Sequence, residues 1–172
     1  SGGAVYTDTK GVIEFDISPR LTALSEAIDE TEHKVIVFVP YKHTIRVVSN
    51  YLAKQGISSE IIMGSVTATE RANIINRFQS MDEPRVLVIQ PQSASHGVTL
   101  TKANTVVFWS PVMSVETYLQ CVARMDRVGQ VNKMTVVHLQ GSDVEKRMYK
   151  MLQGKVDLHT KLVDLYREEL DG

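Results

Sequence analysis

Lys34-Val35-Ile36-Val37-Phe38-Val39, closed by Pro40, is the stretch on which the fold turns. Its apolar residues run on without alternating, the pattern of a strand covered on both faces. Proline has no N–H to give a strand ladder, so Pro40 ends it. Similar runs recur outward along the chain at Ser59–Met63, Arg85–Ile89, Thr105–Trp109 and Met134–Leu139. Helical signals separate them. Ile17 to Glu32 opens with Ser18 as a cap and Pro19 at the first helical position. Thr44 to Gln55 turns Val47, Val48, Tyr51 and Leu52 inward and stops at Gly56. Thr67 and Glu70 form a capping box ahead of Ile74, Ile75 and Phe78, and Pro84 breaks that helix. Ser114 to Met125 is a further helix. Ser142 and Glu145 make a second capping box, opening a helix to about Gln153, and an amphipathic helix over Val156–Leu170 follows. This alternation predicts a single open α/β domain, with a mostly parallel sheet of about five to six strands and helices on both faces.

The totals set bounds on function. At 172 residues the chain has room for a full core, with ordinary hydrophobic (43%) and charged (23%) contents. Its net charge of -1 provides no global basic field, so nucleic-acid binding has to come from a local groove. A single cysteine, Cys121, excludes an internal disulfide and reads as core. Five histidines lack paired ligand spacing, so no metal site is expected. No apolar run reaches the length of a membrane span and no secretory signal opens the chain. Ser1-Gly2-Gly3 reads as an artificial leader, and the chain as a piece cut from something longer. There is no Gly-x-x-x-x-Gly-Lys-Ser/Thr phosphate loop, no acidic pair for magnesium and no dinucleotide turn. Ser93, Ser95 and His96 lie close together, but no Gly-x-Ser-x-Gly elbow frames a nucleophile.

In an open parallel sheet, ligands meet the carboxyl ends of the strands. The loops Pro40–His43, Gly64–Thr67, Gln90–Thr99 and Trp109–Val112 are expected there, with the Ser114 helix following the last. That helix carries Arg124 and Arg127, three residues apart on one face, with Gln120 one turn earlier and Gly129 where the helix can stop. A guanidinium is a planar, permanently charged fork of donors suited to phosphate oxygens. On spacing alone, a solvated helix face is the better explanation of two arginines.

Five elements, in order, resemble the second RecA-like domain of superfamily 2 helicases, and among these the Swi/Snf-type ATP-dependent DNA translocases. Lys34–Tyr41 is similar to motif IV. Ile62–Arg71, with Ile75 and Phe78, is similar to the family's Gly-Ser/Thr…Glu-Arg segment. Val86–Thr101 resembles motif V, with Gly97 on its glycine, and Val107–Pro111 the strand-to-proline turn after it. Gln120, Arg124, Arg127, Gly129 and Gln130 fall on motif VI, Gln-x-x-x-Arg-x-x-Arg-x-Gly-Gln. The sequence departs from the pattern at Ser95-His96, usually Gly-Gly, at Thr99, usually Asn, and at Ala123 and Asp126, often Asp and His. With its short connections, the chain resembles a compact bacterial or phage member.

The resemblance implies a division into a leader at 1–16, a helicase carboxyl-terminal RecA-like domain at 17–153 and a terminal amphipathic helix at 154–172. It implies ATP and magnesium held mainly by a missing amino-terminal RecA-like ATPase domain of the same protein. Arg127 would then be an arginine finger, with Arg124 its partner and Gln120 orienting the pair. Gly97 and Thr99 would line the nucleotide side of the cleft. Tyr41, Lys42, His43, Gly64, Ser65, Gln90, Gln92 and Ser93 would grip DNA, or less readily RNA, by its backbone across the same edge. The isolated domain is expected to be inactive, and the whole protein to work in a bacterial or phage-infected cytoplasm, or in the nucleus if eukaryotic. The alternatives are a stand-alone nucleic-acid-binding module, an unrelated α/β enzyme using the Ser93–His96 loop, and a regulatory domain without chemistry.

Overall fold

The structure is a computed structural model that describes residues 4–6, 12–14, 17–96 and 98–171. Two short strands, β1 (Ala4–Tyr6) and β2 (Val12–Glu14), pair antiparallel. The rest of the described chain runs α1 (Ser18–Asp29), β3 (Lys34–Phe38), α2 (Lys42–Lys54), β4 (Ser59–Ile62), α3 (Ala68–Ser80) and β5 (Val86–Ile89). A 3-10 helix (Pro91–His96), β6 (Ala103–Phe108), α4 (Val115–Ala123), β7 (Thr135–His138) and α5 (Asp143–Asp171) follow. Strands β3 to β7 form one parallel sheet in the order β4-β5-β3-β6-β7.

The central strand carries the pattern expected of it. Val35, Val37 and Val39 pack on one face with α1 and α2, through Leu24, Ile28, Ile45, Val48 and Leu52. Ile36 and Phe38 pack on the other, with Ile74 and Phe78 of α3, Tyr118 and Cys121 of α4, and Tyr149 and Leu152 of α5. Both sets lose their water, which is why the strand has no polar alternation; each fully buried side chain of this size contributes roughly 1.5–3 kcal/mol. Trp109 is fully buried, a core residue rather than a stacking platform. The Cys121 thiol is also core, and burial pushes it up to about 12.

Local chemistry explains most element ends. Gly56 takes φ +74, and the N–H groups of Gly56 and Ile57 donate to the carbonyls of Ala53 and Leu52, the paired bonds of a Schellman stop. Thr67 accepts from the Glu70 N–H at 3.2 Å, and Ser114 from the Thr117 N–H at 3.1 Å. Three expectations need correction. The cap of α1 is Ile17 without a side-chain bond, because the helix already includes Ser18. The Gln90–Thr101 loop contains a 3-10 helix, which Ser93 begins to close by donating its N–H to the Gln90 carbonyl. The two terminal helices are one: α5 passes through Gly154 without a break, since glycine lowers helix stability by only about 1 kcal/mol.

Candidate nucleotide-facing turn

Helix α4 begins at the carboxyl end of β6 and runs back along the sheet, burying Tyr118 and Cys121. It ends at Ala123, earlier than the pattern suggested, and this changes the geometry of the arginines. Arg124 is its carboxyl cap, and Arg127 lies beyond it in a turn. They therefore do not share one helix face. Each instead folds its Nε back onto the carbonyl four residues earlier, Arg124 to Gln120 at 2.9 Å and Arg127 to Ala123 at 3.1 Å. These are among the acceptors a helix leaves unpaired at its carboxyl end, where cations are also favoured. Gln120, expected to orient the pair by hydrogen bonds, serves Arg124 through its backbone carbonyl.

The turn closes through the Gln130 N–H, which donates to the Arg127 carbonyl at 3.0 Å. Gly129 stands at its third position with φ +100, a conformation a side chain would strain. Fully buried Met125 anchors the turn to the core.

The segment before β6 is fastened to this turn. The Leu100 N–H donates to the Arg124 carbonyl at 2.8 Å, and Arg124 Nη1 to the Val98 carbonyl at 3.4 Å. From α3, Gln79 donates to Thr101 Oγ1 at 3.1 Å and accepts from the Lys102 N–H at 3.0 Å. Thr99 is left exposed between these clamps. Gly97, predicted next to it, lies outside the described residues.

Arg124 is 6% exposed and Arg127 half-buried. Burial, then the neighbouring Arg127 charge, lowers the Arg124 pKa, although a guanidinium stays charged in water at any ordinary pH. Among the described residues, neither arginine is in an ion pair. Two adjacent cations without a counter-charge favour an anion with several oxygens.

The position of this turn corrects one expectation. Ala103, Thr101 and Lys102 mark the amino end of β6, so the arginine turn lies at the opposite end of the sheet from the carboxyl-end loops. At the carboxyl ends, Tyr41, Lys42 and His43 open α2 and are exposed, as are Gly64 and Ser65 before α3. Gln90 is half-buried and donates to the Pro40 carbonyl at 3.3 Å, joining the ends of β5 and β3. Gln92 is exposed, whereas Ser93 is buried and presents little surface.

Sequence reasoning missed the clamps. Gln79 follows inward-facing Phe78 with nothing to mark it. It also missed Arg20, which pairs with Glu145 (side chains 10% and 8% exposed) and donates to the Trp109 carbonyl. Glu145 also accepts from the Gly141 N–H at 2.9 Å, and through Arg20 it fastens α5 to α1 and to the residue after β6. Among the described residues no cluster of His, Cys, Asp or Glu could hold a metal ion, and no helix is long and apolar enough to cross a membrane.

A five-stranded parallel sheet between helical layers, with an arginine turn packed against the segment before β6, defines a RecA-like domain. The family described as helicase conserved C-terminal domain matches residues 19–129, and the chain belongs to it. It is similar to the CHD3-type chromatin-remodeling factor CHR7 of Arabidopsis thaliana, 28% identical over 84% of this chain and 12% of that protein. It is similar also to the chromodomain-helicase-DNA-binding protein 1-like of Mus musculus, 30% identical over 77% of this chain and 15% of that protein. The chain therefore spans under a fifth of the length of these relatives. Among solved structures, the C-terminal part of the Fun30 ATPase domain aligns with TM-score 0.74 and 18% identity, over 81% of this chain and 48% of that one. The C-terminal domain of the DEAD-box protein Dbp5 aligns with TM-score 0.70 and 20% identity, over 81% and 79%.

Proposed function

We propose that this chain is the second RecA-like half of an ATP-driven DNA translocase of the Swi/Snf type. It would supply an arginine finger and part of the nucleic-acid groove to an amino-terminal ATPase domain of the same protein. The observation that carries this is the pair Arg124 and Arg127, the first held against the Val98–Leu100 segment and the second against the end of α4, with no carboxylate partner among the described residues. Relatives named as chromatin-remodeling factors favour DNA over RNA and a nuclear site of action over a bacterial or phage-infected cell.

ATP with magnesium, held mainly by the preceding domain, supplies the phosphoryl group and the metal charge. The residues of this chain have only to position and neutralise. Arg127 is the more exposed arginine and releases one internal bond when it reaches outward. Buried Arg124 holds the Val98–Leu100 backbone and adds charge from behind. Thr99 presents an exposed hydroxyl between the two residues that Arg124 holds. At the other end of the sheet, Tyr41, Lys42, His43, Gly64, Ser65, Gln90 and Gln92 contact a phosphate backbone without reading bases, with Ser93 supporting them from beneath. Residues 17–153 form the motor half, and the part of α5 beyond 153 leaves it. Alone, the chain is expected to hydrolyse no ATP, because its sequence has no phosphate loop.

The test joins the chain to its amino-terminal ATPase domain and measures DNA-stimulated ATP hydrolysis with Arg127 intact and with Arg127→Ala. A loss of roughly 10³–10⁵ in turnover, with ATP and DNA binding retained, is expected of a finger. Unchanged hydrolysis would sink the reading.

A further inference from the structure

Gln130 lies in no helix or strand, yet its side-chain amide is held at three points. Nε2 donates to the carbonyl of Ala103, the first residue of β6, at 2.8 Å, and to that of Met125, inside the arginine turn, at 3.0 Å. The amide oxygen accepts from the Asn132 N–H at 3.1 Å. Through its backbone N–H, Gln130 also closes the turn onto the Arg127 carbonyl at 3.0 Å. One residue thus joins the start of the turn, Arg127 itself, the exit toward β7 and the start of β6.

The turn needs such support. Residues 124–130 contain no regular structure, and Val128 at their tip is fully solvated, so apolar packing past Met125 holds little of it. A charged group that stabilises a transferring phosphoryl acts only if held to within about 0.5 Å of its productive place. Both N–H groups of the Gln130 amide are already committed to backbone carbonyls, so the amide has no donor left for a phosphate.

The geometry points to Gln130 as the positioning residue that registers the Arg127 turn against β6, so that hydrolysis depends on an amide that never touches nucleotide. This rests on the reading of Arg127 as a finger. Gln130→Met keeps the length of the side chain and removes all three bonds. Gln130→Glu keeps the acceptor for Asn132 but loses the donations and sets a carboxylate against two carbonyls.

The experiment uses the full-length protein that includes the amino-terminal ATPase domain. In it, Gln130→Met lowers kcat for DNA-stimulated hydrolysis by about tenfold or more, with KM for ATP within about twofold, as expected when an interaction made in the transition state is lost. In an Arg127→Ala background the same substitution changes nothing further, because the group it positions has gone. An equal slowing in both backgrounds, or a normal kcat, overturns the inference. The second measurement needs no activity: in the 172-residue chain, Gln130→Glu shifts the NMR signals of the Arg127 Nε–H and the Gly129 amide. Unmoved signals in a folded variant also overturn it. If Arg127→Ala hydrolyses at the parental rate, the finger reading fails instead, and this inference with it.

Discussion

The two ends of the sheet are built for different tolerances. At the amino end of β6, side chains hold backbone: Gln79, Arg124, Arg127 and Gln130 all spend hydrogen bonds on carbonyls and N–H groups of α4, the turn, and the start of β6 with the segment before it. At the carboxyl ends of β3, β4 and β5, the loops are joined mainly by backbone bonds, such as Val39 N–H to the Ile89 carbonyl and Gln90 N–H to the Ile62 carbonyl, and their exposed residues project outward. A phosphoryl group in transfer rewards placement to a fraction of an ångström. A nucleic-acid backbone that must be gripped and released needs only charge and donors within reach. The difference in construction follows the difference in the proposed tasks.

Substitutions at the two ends should therefore behave differently. The largest effect belongs to the arginine turn: Arg127→Lys, although it keeps the charge, should lose most of the roughly 10³–10⁵ that a finger contributes. Lysine has neither the planar fork nor the Nε that bonds to Ala123. Turnover of the two-domain protein near the parental value would show that charge alone suffices there.

Beyond the carboxyl end of β6, a buried ion pair ties α1 to α5. Removing Glu145 leaves Arg20 buried without a counter-charge, and Glu145→Ala should destabilise the domain by roughly 3–5 kcal/mol, read from urea unfolding. Burial pushes the Glu145 carboxyl up, but hydrogen bonds, led by that from Arg20, and the Arg20 charge outweigh it, holding the carboxyl at about 2. A carboxyl lowered on folding adds stability that is complete above its unfolded pKa of about 4.5 and disappears as the pH falls toward about 2. Glu145→Ala should flatten stability against pH in that window. Burial lowers the His138 pKa, so its neutral form, bonded to Tyr118 at 2.9 Å, should make a separate loss as the pH falls through roughly 6.5. That loss should survive in Glu145→Ala. An unaltered slope below pH 4.5 in the variant would disconnect the ion pair from acid stability.

A smaller effect is expected at the grip. Lys42→Ala should weaken DNA binding uniformly across sequences and reduce the salt slope by about 0.9 on duplex DNA, leaving basal hydrolysis near normal. A sequence-dependent loss would mean that this end reads bases. The smallest effect belongs to α5 beyond the domain, where Leu158 and Leu162 are each 57% exposed. Serine at either should change the stability of this chain by no more than about 0.5 kcal/mol. A larger change would mean that the helix packs where the structure leaves it solvated.

Much of the fold was legible along the chain because its rules are local. Unbroken apolar runs at Lys34–Phe38 and Val86–Ile89 became central strands, and Thr67, Ser114 and Gly56 marked helix ends through bonds to near neighbours. The motif spacing identified Arg124, Arg127 and Gln130 as a group before any contact was known. The end of α4 was misjudged because Arg124 continues a helical pattern that Met125 breaks by turning into the core. The continuity of α5 was missed because Gly154 resembles a stop, although the cost of one glycine is easily met in a helix of 29 residues.

By itself, the sequence determined the layer architecture, the parallel direction of the strands and the residue types available for phosphate. Periodicity, caps and side-chain chemistry act within a few residues of one another and can be read in one dimension. Tertiary structure alone decided that the arginine turn and the basic loops lie at opposite ends of the sheet, that Gln79 and Gln130 clamp the turn, and that Arg20 meets Glu145. The Arg20–Glu145 contact joins residues 125 apart in the chain and the Gln130–Ala103 contact residues 27 apart. Such pairings exist only once the sheet has brought the segments together, and no local pattern records which distant partner a polar side chain will find.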